Sequence, residues 1–128
     1  MTATRVVPIY TANDIEKTVA WYRDVFGAKI GETFQHEGKL VGAAVQYGSV
    51  ELWLTQDDFG KGEDRQKGAG FRIIMETDQN VDELAAGIKE RGGELIAEPA
   101  DQEWGVRMFA VADPDGFKIT ISTPMSSK

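Results

Sequence analysis

The chain has no cysteine and only one histidine in 128 residues. The missing cysteine excludes disulfide bonds, thiolate metal sites and cysteine nucleophiles together. The one imidazole, His36, stands beside Glu37 and Gly38 in what reads as an exposed hairpin turn, so it is not enlisted as a ligand. No apolar run approaches the ~18 residues of a spanning helix, and the first residues lack the basic-then-apolar order of a secretory signal, so a cytoplasmic protein without membrane partners is expected. Basic residues are the minority, 14 against 21 acids for a net charge of −7, and they are scattered. That balance repels phosphate backbones and excludes nucleic acid as a partner. It attracts small cations, or simply keeps the protein in solution.

What is present is ordinary for a globular domain: 41% hydrophobic and 27% charged residues. A strand-like run from Arg5 to Tyr10 leads through Asn13 and Asp14, either of which suits an N-cap, into a helical pattern with Ile15, Val19, Tyr22 and Phe26 on one face and Gly27 as its stop. Trp21 belongs to the packing face of that helix or its edge. Strand patterns follow at Ala28 to Phe34, Leu40 to Tyr47 and Ser49 to Thr55. The order then repeats: strand from Gly70 to Thr77, helix from Val81 to Arg91 ended by Gly92 and Gly93, and strands at Glu94 to Ala97, Gly105 to Ala112 and Phe117 to Ser122. Ile15 aligns with Val81, Val19 with Ala85, Tyr22 with Ile88 and Gly27 with Gly93, an offset of 66 throughout. The expectation is a single domain over 1–128, made of repeat 5–55 and repeat 70–122. They are joined by the polar loop 56–69, either a plain connector or a mobile acidic lip with Phe59 as its large apolar residue.

Four segments carry a resemblance. They are Val6-Val7-Pro8-Ile9-Tyr10 running to Asp14, Trp21-Tyr22 running to Phe26-Gly27, Gln102-Glu103-Trp104-Gly105, and Asp113-Pro114-Asp115-Gly116 running on from Phe117 to Ser122. In order and spacing the chain resembles the vicinal oxygen chelate superfamily, which includes glyoxalase I, extradiol dioxygenases, fosfomycin-resistance enzymes and bleomycin-resistance proteins. The resemblance implies an α+β fold of two tandem βαβββ repeats whose curved mixed sheets surround a cavity. In the superfamily's enzymes that cavity holds a divalent cation on four strands, with His or Gln on the first, Glu on the fourth, His on the fifth and Glu on the eighth. Carried over, those positions are Val7, Glu51, Arg72 (Ile73 in a shifted register) and Thr120. Only Glu51 is a donor for a hard or borderline cation, so no metal and no cofactor is expected.

Alternation puts Glu51, Trp53 and Thr55 on one face of the fourth strand, and the resemblance turns that face to the cavity. Arg72 with Ile74, and Lys118 with Thr120 and Ser122, join it from the second repeat. Glu51 and Arg72 then pair with each other or with polar ends of a ligand. Trp104, before Gly105, sits where bleomycin-resistance proteins carry a Pro-Trp-Gly element whose indole stacks on the drug; here Glu103 replaces the proline, and a dimer seam is the alternative use of this Trp. Phe34 and Phe59 lie near turns at the cavity mouth. Pro8 resembles the proline that accompanies exchange of the N-terminal strand in bleomycin-resistance dimers, which points to a homodimer.

The expected ligand-binding set is therefore Phe34, Glu51, Trp53, Phe59, Arg72, Trp104, Gly105 and Thr120, with no catalytic residue. The function this reading favours is metal-free sequestration of a small aromatic or cationic natural product or antibiotic. The alternative is an enzyme of the same fold, a metal-dependent or metal-free lyase, isomerase or dioxygenase, with Glu51 as a base in the metal-free case. A self-resistance partner within a biosynthetic cluster is indistinguishable from the first by sequence.

Overall fold

A computed structural model describes residues 1–62, 67, 68 and 70–124. The chain forms two units, Met1–Arg65 and Gln66–Lys128. The first runs β1 (Ile9–Ala12), α1 (Ile15–Trp21), a π-helical turn (Tyr22–Phe26), β2 (Lys29–His36), β3 (Lys39–Tyr47) and β4 (Val50–Gln56). The second runs β5 (Arg72–Glu76), α2 (Val81–Glu90), β6 (Leu95–Asp101), β7 (Arg107–Ala112) and β8 (Lys118–Ser122). Their sheets are ordered β1-β4-β3-β2 and β5-β8-β7-β6, with the first pair of each parallel and the rest antiparallel. The βαβββ order occurs twice, with one topology. No helix among the described residues is long and apolar enough to cross a membrane.

Each helix begins on a side-chain cap. Asp14 accepts the Lys17 N–H at 3.3 Å and Asn80 accepts the Glu83 N–H at 3.1 Å, so of the two candidates in the first repeat it is Asp14 that caps. Gln56 braces the same junction: its Oε1 accepts the Ile15 N–H at 2.9 Å and its Nε2 donates to the carbonyls of Ala12, Asn13 and Asp57. The apolar faces read from spacing are buried, with Ile15, Val19, Tyr22 and Phe26 in one unit and Val81, Ala85 and Ile88 in the other.

One alignment needs correction. The left-handed glycine that stops the second helix is Gly92 (φ 93°), not Gly93, whereas in the first repeat it is Gly27 (φ 87°). Gly27 lies twelve positions after Ile15, but Gly92 only eleven after Val81. The π turn absorbs the extra residue: the Gly27 N–H reaches back to the Tyr22 carbonyl, five residues away. Its spacing brings Trp21 and Phe26 into a stack at 5.6 Å, and Phe26 stacks in turn on Tyr47 at 4.5 Å.

Strand ends depart furthest from expectation in β1 and β6. β1 starts at Ile9 and continues to Ala12, because pairing with β4 sets its limits (Ile9 opposite Trp53, Ala12 opposite Gln56). Pro8 precedes it at the sheet edge, lending only a carbonyl, which accepts the Trp53 N–H at 2.9 Å. β6 extends past Ala97 to Asp101 despite Pro99, since it is an edge strand and register shifts interrupt its pairing. His36 ends β2 opposite Lys39, flanking the Glu37-Gly38 turn.

Candidate functional site

In the first unit the register builds a slot. On β4, Leu52 and Leu54 are buried beneath the sheet, so Glu51 and Trp53 face the other way. Ala44 of β3 stands opposite Trp53, Gln46 opposite Glu51 and Gly42 opposite Thr55. Across β3, Gly42 meets Phe34 of β2. The floor is thus Ala44, a side chain too short to fill the space, between walls made by Trp53 and by Phe34, whose ring covers Gly42. Three residues of β2 (31–33) span two of β3 (44 and 43) at a register shift, a bulge that turns Glu32 onto the slot face. Arg5, Glu32, Phe34, Ala44, Gln46, Glu51 and Trp53 line a cavity of about 290 Å³.

The carboxylate of Glu51 is fully engaged. It accepts the Trp53 indole N–H at 3.0 Å, an Arg5 guanidinium N–H at 3.1 Å and the Gln46 amide at 3.4 Å. Hydrogen bonds from Trp53 and then Gln46, helped by the Arg5 charge, hold its pKa below the ordinary carboxylate range. Its salt-bridge partner is Arg5, which lies in the segment leading into β1, the strand beside β4. Glu32 makes no ion pair or hydrogen bond among the described residues and is the slot's available negative charge.

Within the first unit the slot brings Phe34, Glu51 and Trp53 together. Phe59, with φ 60°, donates its N–H to Asp57 in the loop after β4 and does not line this cavity. The rest of the supposed lip, residues 63–66 and Ala69, lies outside the described residues. Arg72 pairs with Lys118 and Ile74 with Thr120, so Arg72 and Thr120 are not cross-strand partners. Thr120 is 8% exposed and offers little to a ligand from within its unit. Trp104 is 58% exposed, at the third position of a turn closed by Gly105 N–H to Gln102 C=O and by Gln102 N–H to Val106 C=O. Gly105 (φ 93°) is needed there to complete a three-residue hairpin loop. Asp113-Pro114-Asp115-Gly116 repeats that loop bond for bond, with Asp113 Oδ1 also accepting the N–H groups of Asp115 and Phe117. Two of the four segments that carry the resemblance are therefore chain-reversing devices first.

Arg5, Glu32 and Gln46 were not anticipated. A glycine inside a strand, Gly31, was the available signal for the bulge that displaces Glu32. Arg5 had none beyond its proximity to the strand.

A divalent cation does not fit these residues. Val7 has no donor, and the Glu51 oxygens are taken by three N–H groups. In the second unit the rungs on that face are Arg72 with Lys118, Ile74 with Thr120 and Glu76 with Ser122; its one carboxylate, Glu76, stands four positions beyond Arg72, and neither Arg72 nor Thr120 is a donor for a hard or borderline cation like the family's His and Glu. Ile73 lies on the other face, opposite buried Ile119. Among the described residues no three His, Cys, Asp or Glu side chains gather in reach of one ion.

Two four-stranded mixed sheets, each a βαβββ unit, define an α+β fold of the glyoxalase type. The chain belongs to the Glyoxalase/Bleomycin resistance protein/Dioxygenase superfamily, whose family model matches residues 5–121. It is 26% identical over 113 residues to a lactoylglutathione lyase of Arabidopsis thaliana and 25% identical to a putative lactoylglutathione lyase of Brassica oleracea var. gemmifera; both matches take in 85% of this chain. The chain spans only about 40% of the length of either relative. Among solved structures, TioX from Micromonospora sp. ML1 superposes with a TM-score of 0.74 at 19% identity, over 98% of this chain and 99% of that one. A glyoxalase I variant from Zea mays also reaches 0.74, at 23% identity over 92% of this chain and 43% of that one. These likenesses show the fold.

Proposed function

We propose that the slot between Phe34 and Trp53 binds a small, flat, cationic molecule, and that the protein sequesters it without metal-dependent chemistry. The observation that carries this is the state of Glu51. It is the one potential ligand left at the family's metal positions, and its oxygens are committed to Trp53, Arg5 and Gln46. The same contacts fix the Trp53 indole, leaving a preset aromatic wall, and a held wall binds at lower entropic cost than a free one. Glu32 supplies charge for a cation at the rim, and an indole face attracts the same cation. A volume near 290 Å³ lies at the small end for organic ligands. Natural products and antibiotics with flat cationic rings are the ligands in view. A two-fold dimer in the cytoplasm belongs to the same reading, and light scattering at micromolar concentration checks its mass.

The test is titration with a planar cationic dye such as ethidium, followed by tryptophan emission. Saturable quenching that Trp53→Ala removes is expected; equal binding by wild type and variant overturns the proposal.

A second reading, a lyase, draws support from the likeness to lactoylglutathione lyases. Glu51 is a poor general base for it, since its hydrogen bonds favour the carboxylate and depress its basicity. Turnover in a lactoylglutathione lyase assay that rises with added nickel or zinc, together with stoichiometric metal in the purified protein, would establish the lyase in place of the binder.

A further inference from the structure

The second unit carries a feature that the slot does not use. Arg72 and Lys118 are direct partners in the parallel β5–β8 pair, so two cations stand side by side on one exposed face. Neither forms an ion pair or hydrogen bond among the described residues. Four other cations find acids, Arg5 with Glu51, Arg23 with Asp24, Lys89 with Glu98, and Arg107 with both Asp82 and Asp101, whereas Lys17, Lys29, Lys39 and Lys61 form no ion pair among the described residues but have no second cation directly opposite on a neighbouring strand. In a chain with 21 acids and 14 bases, two cations on one rung with no acid paired to them among the described residues run against the average. As a stability device the pair is counterproductive, because like charges on directly opposed strand positions repel.

The pair also borders a hollow. Arg72 and Lys118, with Phe71, Gly68 and Gly70, line a cavity of about 210 Å³, and Phe71 is 46% exposed. A space of roughly 150 Å³ already accepts a benzene ring. The chemistry on offer is a planar guanidinium that can grip two oxygens at once, a second point charge beside it, and an aromatic ring.

We propose that Arg72 and Lys118 form a second binding site, which takes the oxyanion of a small organic acid, a carboxylate or a phosphate ester, with its apolar part against Phe71. The bound anion neutralises the repulsion between the two cations, so occupancy stabilises the second sheet. This site stands independently of the slot proposal, since it shares no residue with it.

The experiment is calorimetric titration of the full chain with phenyl phosphate and, separately, benzoate, with sodium chloride matched for ionic strength. Saturable binding at one site is expected. The tighter of the two probes identifies the oxyanion. Lys118→Gln and Arg72→Gln should each weaken binding about tenfold or more, as expected for loss of a charge-assisted contact. Lys118→Glu should abolish binding and raise Tm of the free protein by about 2–5 °C, because it converts repulsion into an ion pair with Arg72. Absence of saturable binding by the wild type for both probes overturns the proposal. So does affinity unchanged in both glutamine variants, or a Tm for Lys118→Glu below that of the wild type.

Discussion

The two repeats share a topology and differ in what they display. Beneath each sheet the residues are interchangeable in kind: Tyr10, Leu52, Leu54 and Val45 in the first, Met75, Ile119, Ile121 and Val111 in the second. On the opposite face the first repeat presents Trp53, Phe34 and two glutamates, and the second presents Arg72, Ile74 and Glu76 with Lys118. The difference teaches how a duplicated sheet diversifies. Successive side chains on a strand point to opposite faces, so every second position is held by the core while its neighbours vary at little cost in stability.

Four experiments break or sharpen this contrast. The largest effect is expected from Gly68→Ala. At φ +74° a Cβ there sits 2.5 Å from the Gly116 carbonyl oxygen, and both strain and overlap contribute, for a loss of about 2–4 kcal/mol in urea denaturation. Hydrogen exchange then reports whether protection is lost in β8 alone or in β4 as well, which says whether the repeats unfold separately or together. Next, Trp53→Ala should weaken binding of a planar cationic dye by ~1–3 kcal/mol while leaving urea stability near wild type, since this indole is 39% exposed. A variant that unfolds instead makes Trp53 part of the scaffold, and the contrast between faces fails in the first repeat.

Asp113→Ala removes the acceptor for two backbone N–H groups in the turn before β8, and about 1–2 kcal/mol of stability should go with it. An unchanged midpoint would mean that Pro114 and Gly116 suffice to make that turn. The smallest effect concerns pH. The Glu51 pKa is depressed in the folded protein, so the stabilisation from its contacts is complete above the ordinary glutamate value of 4.5 and fades as pH falls through the lower folded value. Tryptophan emission should therefore shift in an acid transition below pH 4.5, and Glu51→Gln should abolish it. A transition at or above that pH would show that the Trp53, Gln46 and Arg5 contacts do not hold in solution.

Much of the fold was legible because its signals are local. Apolar spacings of three and four gave both helices, and Leu52 and Leu54 alternating with Glu51 and Trp53 gave the facing of β4. What was missed depends on partners distant in sequence. The limits of β1 follow from β4, and a bulge against Ala44 decides where Glu32 points. Arg5 meets Glu51 across 46 positions, with no periodicity to announce it. Placing single residues on family positions turned Glu51 and Arg72 toward one cavity but said nothing of their strand neighbours; the observed register sets Arg72 beside Lys118. Family positions indicate where to look, and the strand register decides which side chains share a rung.

The π turn at Tyr22–Phe26 has one more consequence. An additional residue inside an ordinary helix rotates everything after it by about 100° and would send the chain out of the helix in a different direction. Here the surplus before Gly27 is taken up in one wide coil, and Ile15 and Phe26 are both buried. The first repeat therefore carries a built-in slack of one amino acid. Removing a single residue from the exposed Arg23-Asp24 pair should tighten that coil to the length of its counterpart in the second repeat, an edit that few helices in a packed protein would survive.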